Sequence, residues 1–172
     1  MAESDDNAIT HSLSKIPLFF GLKPDELKII LGLCKSDAFQ ADDIIFSEGD
    51  PSHHLYILLS GDVLIKTQRN GIIARLQPCD IFGEIGLITQ RPRSASVIAN
   101  SDCKLFRIDH VEFNFLSGKQ PRISTILLRN ISTNLANHVV RMNNAPLEHI
   151  PLSGGTRSTQ HAHSQVLLDE SN

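Results

Sequence analysis

The sequence of 172 residues contains no long hydrophobic segment and no strong excess of one charge. Its apolar runs, such as residues 55–59, fall far short of the roughly 20 residues that cross a bilayer as a helix, so we expect no membrane anchor. The acidic, polar residues 1–10 lack the basic and apolar parts of a secretory signal. The formal net charge of −3 gives no general attraction to nucleic acid or to anionic lipid.

Cysteine is also scarce, and the thiols lie far apart, at Cys34, Cys79 and Cys103. An odd number at such spacings provides neither a disulfide framework nor a paired metal-ligand motif. We therefore expect a reduced, cytoplasmic protein whose cysteines are buried. Ser-His-Asp and Cys-His groupings with a supporting motif are missing as well, so the sequence does not predict an enzyme.

The N-terminal part predicts a loose segment followed by helical structure. Residues 1–14 are mostly polar, and we expect them to be disordered. Helical structure is expected over 15–37, with a helix at about 24–34 that Pro24 can open. The apolar residues of that helix recur at the spacing of one helical face: Leu27, Ile30, Leu31 and Cys34.

Residues 38–109 consist of short apolar runs separated by turn residues, which indicates a β-rich region. Asn70-Gly71 between two such runs is the strongest short signal for a hairpin. About eight strands, spaced about ten residues apart, predict a β-sandwich or a β-barrel.

After residue 109 the apolar period becomes helical again. A short helical segment is expected at 111–117 and a longer helix at 121–143, which ends before Pro146. The seven-residue spacing of Leu128, Leu135 and Met142 predicts a possible homodimer seam, or a face that simply packs on the β-region. Residues 144–172 predict a disordered tail, in which Val166-Leu167-Leu168 is either a docking motif or has no function.

One carboxylate and one guanidinium stand close together in the segment FGEIGLITQRPRSASV, at 82–97. Gly83 before a short helical turn at 84–88 frees backbone N–H groups to bind an anion. Arg93 offers paired donors for a phosphate, with Ser94 beside it. Glu84 would repel a phosphate, but it can accept hydrogen bonds from a sugar hydroxyl, as in dinucleotide sites. A nucleoside cyclic monophosphate fits both groups, whereas the alternative is a surface salt bridge between them.

The same segment resembles the phosphate-binding cassette of the cyclic nucleotide-binding domain family. The family pattern is roughly F-G-E-aliphatic-small-L, a spacer, and P-R-small-A-Ser/Thr-V, and it corresponds here to residues 82–87 and 92–97. Residues 16–20, 48–50 and 55–57 also resemble parts of the family, so the likeness runs from about 15 to 143. It implies a mainly β fold: an eight-stranded, jelly-roll-like β-roll over 38–109, flanked by N-terminal helices and by hinge and lid helices over 110–143.

The resemblance also implies a role for each residue of the cassette. Glu84 would hold the ribose 2′-hydroxyl, and Arg93 the cyclic phosphate. The remaining predicted ligand-binding positions are Gly83, Ile85, Gly86, Leu87, Ser94 and Ala95, where Leu87 would contact the hinge helix. Gly86 departs from the family because alanine is common there, and Ser94 leaves the choice between cAMP and cGMP open.

The resemblance also implies a lid over the base, formed by the last long helix, for which the candidate positions are Leu135, His138 and Val139. His138 would reach an adenine edge, or it faces solvent as an ordinary helical histidine. His53-His54 and His161-Ala162-His163 do not complete a metal-binding pattern, so we expect no metal and no cupin-type enzyme.

These observations predict a stand-alone sensor of cAMP or cGMP that signals to an unidentified protein partner. Direct DNA binding is not expected, because the 28 residues after Asn144 contain no helix-turn-helix pattern. The alternative is a nucleotide-independent scaffold or interaction module on the same β-roll.

Overall fold

Helices flank a β-rich middle in the computed structural model, which describes residues 13–143. A 3-10 turn at Pro17–Phe19 precedes four helices: α1 Pro24–Leu33, α2 Glu84–Thr89, α3 His110–Lys119 and α4 Pro121–Asn143. The strands are β1 Lys35–Phe39, β2 Ile44–Phe46, β3 His54–Ser60, β4 Val63–Thr67, β5 Gly71–Leu76, β6 Ile81–Phe82, β7 Ser96–Ala99 and β8 Cys103–Asp109.

The strands form two four-stranded sheets, ordered β1-β8-β3-β6 and β2-β7-β4-β5. Every strand pair is antiparallel. The predicted fold class is therefore confirmed: a mainly β, eight-stranded roll with helices on its N-terminal and C-terminal sides.

Strand β3 packs on the helices with one face and on the interior of the roll with the other, because successive side chains of a strand point to opposite faces. Leu55 and Ile57 belong to an outer cluster that also includes Leu18, Phe19, Leu27, Ile30, Leu87, Phe113, Leu116, Ile123, Leu127 and Ile131. Tyr56 and Leu58 belong to an inner cluster, with Val63, Leu76, Phe82, Val97, Ala99, Cys103 and Leu105. A strand that is buried on both faces needs a continuous apolar run, which explains the sequence LYILL.

The predicted hairpin around Asn70-Gly71 is present between β4 and β5. Thr67 pairs with Gly71, so residues 68–70 form the loop and the glycine begins β5. Gly71 has φ +68°, a left-handed conformation that glycine adopts without strain. The hairpin was thus predicted at the right place, with a loop one residue longer than a two-residue turn.

The N-terminal boundaries differ from the predictions by a few residues. Leu13 is buried in the outer cluster, so the disorder predicted over 1–14 does not hold for this residue, and residues 1–12 lie outside the described residues. Strand β1 begins at Lys35 rather than at 38, and α1 ends at Leu33. The stretch KSDAF carries little apolar signal, and it becomes a strand because it pairs with β8 along its whole length.

The C-terminal helices begin close to where the sequence placed them. Asp109 caps α3 by accepting a hydrogen bond from the Val111 N–H at 2.7 Å. Helix α3 continues through Gly118 to Lys119, because a glycine lowers helix propensity without stopping a helix. The predicted tail over 144–172 lies outside the described residues.

Helix α4 is held against the N-terminal segment by polar contacts as well as by the outer cluster. The Asn130 side-chain amide donates to the carbonyl oxygens of Leu18 and Phe20 at 2.8 and 2.9 Å. Arg122 forms an ion pair with Glu26 of α1. The two ends of the described chain are therefore packed together.

Of the three cysteines, which were all expected to be buried, only Cys103 is fully buried. Cys34 is half-buried, and Cys79 is exposed. Cys79 has φ +79° in the surface turn where the Asp80 N–H donates to the Gln77 carbonyl at 3.0 Å, and this turn geometry places its side chain outside the core. No helix between residues 13 and 143 is long and apolar enough to cross a membrane.

Candidate functional site

Helix α2 is short, and local hydrogen bonds stabilise its C-terminal end. Gln90 has φ 56°, and its N–H donates to the Gly86 carbonyl at 2.9 Å. The Thr89 hydroxyl donates to the Ile85 carbonyl at 2.7 Å and accepts from the Arg91 N–H at 3.3 Å. The predicted helical turn at 84–88 is therefore present as Glu84–Thr89.

Gly83 precedes α2 in a conformation that only glycine adopts easily. Its φ is +79°, and a Cβ at this position would lie 2.5 Å from Arg93 Nη1 and 2.9 Å from the His54 carbonyl oxygen. The glycine thus permits both the turn and the close approach of the guanidinium.

Replacing Gly83 with alanine should lower stability by about 1–3 kcal/mol through backbone strain and overpacking. Gly71→Ala is the matched control, because Gly71 also has a positive φ but has open space around its missing Cβ. Thermal unfolding should show a larger loss for Gly83→Ala. Equal losses of stability in the two variants would mean that the close approach of Arg93 to Gly83 adds nothing to the cost of a side chain at position 83.

Arg93 is fixed at its backbone by the turn between β2 and β3. Its N–H donates to the Asp50 carbonyl at 2.9 Å, and its carbonyl accepts from the Gly49 N–H at 2.8 Å. Such paired backbone bonds hold the residue as a ladder pair would. The side chain therefore starts from a defined position.

Arg93 is 6% exposed, and its guanidinium is held by backbone carbonyls. Its Nη1 donates to the Gly83 carbonyl at 3.1 Å, and its Nη2 to the His54 carbonyl at 2.8 Å. Its Cζ lies 4.0 Å from the centre of the Phe46 ring, within the range of a cation–π contact. The third nitrogen of the guanidinium, Nε, is buried and has no hydrogen-bond partner among residues 13–143.

Between residues 13 and 143, the charge of Arg93 is also without an ion-pair partner. None of the ion pairs between described residues includes Arg93. Burial lowers the pKa of the guanidinium, although arginine stays charged in proteins. The groups that hold this buried cation are carbonyls and an aromatic ring, none of which carries a negative charge. An anion that reaches it can therefore form charge-assisted hydrogen bonds.

Glu84 is buried to the same degree, at 6% exposure. Burial raises the pKa of its carboxyl group, and this effect outweighs the opposing hydrogen bond from its own N–H and the charge of Arg93. No ion pair of the described part of the chain includes Glu84. An exposed Glu84–Arg93 salt bridge, the alternative left open by the sequence, therefore does not describe this structure.

The other predicted site residues lie around α2 and the loop that follows it. Ile85 and Ser94 are exposed, whereas Leu87 and Ala95 are buried. Leu87 belongs to the outer cluster, as do Phe113 and Leu116 of α3, so the predicted contact with the hinge helix is geometrically available. The ligand-binding roles of these residues stay predictions.

The predicted lid residues lie near the C-terminal end of α4. Leu135 packs against the outer cluster, His138 is half-buried, and Val139 is 56% exposed. Their role over a base stays a prediction.

The residues that surround Arg93 from other strands were not predicted from the sequence. Phe46 lies under the guanidinium, Tyr56 lies 5.7 Å from it, and the His54 backbone accepts a hydrogen bond from it. Ser52 was also missed, although it is buried and touches α2. No local pattern marks these residues, because their contacts depend on how distant strands pair.

Metal ligation was not expected from the sequence. Between residues 13 and 143, no group of three or more His, Cys, Asp and Glu side chains could hold a metal ion. The His161-Ala162-His163 motif lies outside the described residues.

Comparison with known proteins identifies similar sequences and folds. Residues 37–119 match the family described as the cyclic nucleotide-binding domain. The chain is 34% identical over 106 residues to a cAMP-dependent protein kinase regulatory subunit from Hypocrea atroviridis, covering 62% of this chain and 23% of that protein. It is 32% identical over 112 residues to the cyclic AMP receptor protein of Thermus thermophilus, covering 63% and 52%. A cyclic nucleotide-binding domain from Methylobacillus flagellatus shares the fold, with a TM-score of 0.70 and 24% identity over 81% of each chain.

The matches confirm the resemblance found at residues 82–97. The chain spans only 23, 30 and 26% of the lengths of three kinase regulatory subunits that it matches. What is shared with them is therefore one domain of longer proteins.

Proposed function

We propose, from the match of residues 37–119 to the cyclic nucleotide-binding domain family, that the chain is a sensor that binds cAMP or cGMP at Glu84 and Arg93. The observation that carries the proposal is the Arg93 guanidinium, which is buried, has an unpartnered Nε and forms no ion pair within the described residues. A buried charge without an ion-pair partner is costly, and a cyclic phosphate would supply that partner.

The ligand would lie between the two buried charged residues. Arg93 and the N–H groups of Ile85 and Gly86 would bind the phosphate, with Ser94 and Ala95 beside it. The Glu84 carboxylate would repel the phosphate, so it would face the ribose and accept a hydrogen bond from the ribose hydroxyl. Two similar proteins are named for cAMP, so cAMP is the first ligand to test.

A route from the site to the C-terminal helices supports a signalling function. The Arg93 guanidinium donates to the His54 carbonyl, and the His54 ring lies 3.3 Å from an Asp109 carboxylate oxygen. Asp109 in turn caps α3. A second route runs through Leu87, which shares the outer cluster with α3 and α4. A ligand that shifts α2 would thereby favour a different packing of these helices.

The changed surface of α4 would then meet a protein partner or a second copy of the chain. Leu128 and Val139 are 39% and 56% exposed and lie on the same side of α4, because 11 residues make close to three helical turns. An apolar stripe is therefore available beside the face that packs on the outer cluster. The base would lie under Leu135, His138 and Val139. We propose binding and signalling without catalysis, and the cytoplasmic location stays a prediction.

A thermal titration of the purified chain tests the proposal. A nucleotide at about 100 times its Kd should stabilise the fold by about 2.7 kcal/mol, or roughly 5–10 °C in Tm. AMP, whose phosphate is open and doubly charged, should give a smaller shift at the same concentration. A scaffold of the alternative kind would show no shift with cAMP or cGMP, and this result would refute the proposal.

A further inference from the structure

The backbone conformation of residue 86 does not explain why a glycine stands there. It lies inside α2 and is not among the glycines with positive φ. Alanine is the better residue in a helix interior, and the resemblance to the family pattern also favours alanine. Something outside the helix must therefore require glycine here.

Ser52 is the residue that excludes a side chain at position 86. A Cβ on Gly86 would overlap with both Oγ and Cβ of Ser52, whereas the next nearest atom, the Arg91 carbonyl oxygen, would lie at an ordinary 3.5 Å. Ser52 is 8% exposed. Its Oγ has no hydrogen-bond partner in the described part of the chain, so packing against α2 is the contact that accounts for its burial there.

The segment that carries Ser52 also holds Arg93. Gly49 and Asp50 bond the backbone of Arg93, and the His54 carbonyl accepts from its guanidinium. Residues 49–54 thus contact the arginine at several points and α2 at Ser52. The volume of the side chains at 52 and 86 therefore sets how far α2 lies from Arg93.

We propose that Ser52 is a positioning residue for the nucleotide site: it fills the methyl-sized space at Gly86 and supports α2 at the distance from Arg93 that the ligand requires. This inference rests on the proposed function. Ser52 acts through Gly86 and does not itself contact the nucleotide. Residues 52 and 86 form a matched pair, in which a larger residue at one position requires a smaller residue at the other.

Gly86→Ala should therefore weaken nucleotide binding by about 5- to 150-fold. The free protein can relieve the overlap by moving α2 away from Ser52, whereas the bound state needs α2 in place, so the strain is expressed in the affinity. The double variant Ser52→Ala/Gly86→Ala should still bind nucleotide weakly, because the overlapping Cβ of residue 52 remains. Ser52→Gly/Gly86→Ala removes both overlapping atoms and should bind within about threefold of the wild type.

The measurement is calorimetric titration of each variant with cAMP and cGMP, beside its Tm without nucleotide. Gly32→Ala is the control for an added methyl in a helix, since a Cβ there would meet nothing within 4 Å, and its affinity should be unchanged. If Gly86→Ala fails to fold, the comparison between the two double variants still tests the pair.

Recovery of affinity only in Ser52→Gly/Gly86→Ala would support the positioning role. Equal affinities of the two double variants, or wild-type affinity in Gly86→Ala, would overturn it while leaving the proposed function intact. A wild type that binds neither nucleotide would overturn the proposed function, and the positioning role with it.

Discussion

Arg93→Ala is expected to weaken cyclic nucleotide binding by about 30- to 5000-fold. The loss corresponds to about 2–5 kcal/mol, the usual effect of removing one partner of a desolvated charge pair. The phosphate would then be buried without its guanidinium, and only N–H groups and the Ser94 hydroxyl would remain as donors. Calorimetric titration of the variant with cAMP and cGMP measures the loss directly.

Arg91→Ala is the matched control for this variant, because it removes the same charge from an exposed position in the same loop. Its affinity should stay close to that of the wild type, since an exposed charge is screened by water and salt. Arg93→Lys should recover part of the affinity, because an ammonium keeps the charge but loses the paired donors. Unchanged affinity in Arg93→Ala, with a normal Tm, would refute the phosphate role.

Glu84→Gln is expected to have opposite effects on binding and on stability. Nucleotide affinity should fall by about 10- to 150-fold, because a hydrogen bond to a charged acceptor contributes about 1.5–3 kcal/mol. The free protein should unfold at a higher temperature at neutral pH, because the amide is buried without the desolvation cost that raises the pKa of the Glu84 carboxyl. Titration with nucleotide and thermal unfolding without it measure the two effects.

The stability difference should depend on pH in a defined direction. Burial raises the pKa of Glu84 in the folded state above its ordinary value of 4.5. Between the two pKa values the folded state binds more protons than the unfolded state, so the wild type loses stability as the pH rises. Below the unfolded value the carboxyl is neutral in both states, and the wild type and Glu84→Gln should have similar Tm values.

The stability advantage of Glu84→Gln over the wild type should therefore grow as the pH rises through the folded-state pKa of Glu84. Above that pKa it should stay constant. A variant that is less stable than the wild type at neutral pH, yet binds nucleotide normally, would indicate that Glu84 has a structural function instead.

The strands and the cassette could be predicted because their signals are local. A run such as LYILL requires burial on both faces of a strand, and Gly83 next to Glu84 marks a turn that frees N–H groups. In contrast, β1 was assigned too late because KSDAF becomes a strand only by pairing with β8. An ion pair from Asp37 to Arg107, at 3.1 Å, supports that pairing, and it joins positions that no sequence pattern links.

The surroundings of the site were out of reach for the same reason. The contact of Phe46 with Arg93 and that of Ser52 with Gly86 both join distant segments. They depend on sheet register and on side-chain volume. The sequence showed only that Gly86 replaced a common alanine, and the structure shows that Ser52 occupies the space of the missing methyl group.

In the proposed complex, the Arg93 Nε, which has no hydrogen-bond partner among residues 13–143, donates to the bound cyclic phosphate. A ¹⁵N–¹H spectrum of the arginine Nε groups, with the Arg93 signal assigned by its loss in Arg93→Lys, tests this claim most directly. Saturating cAMP or cGMP should shift that signal strongly, as expected for a new charge-assisted hydrogen bond, while the Arg91 signal stays in place. An Arg93 Nε signal that does not move at saturation would contradict the account.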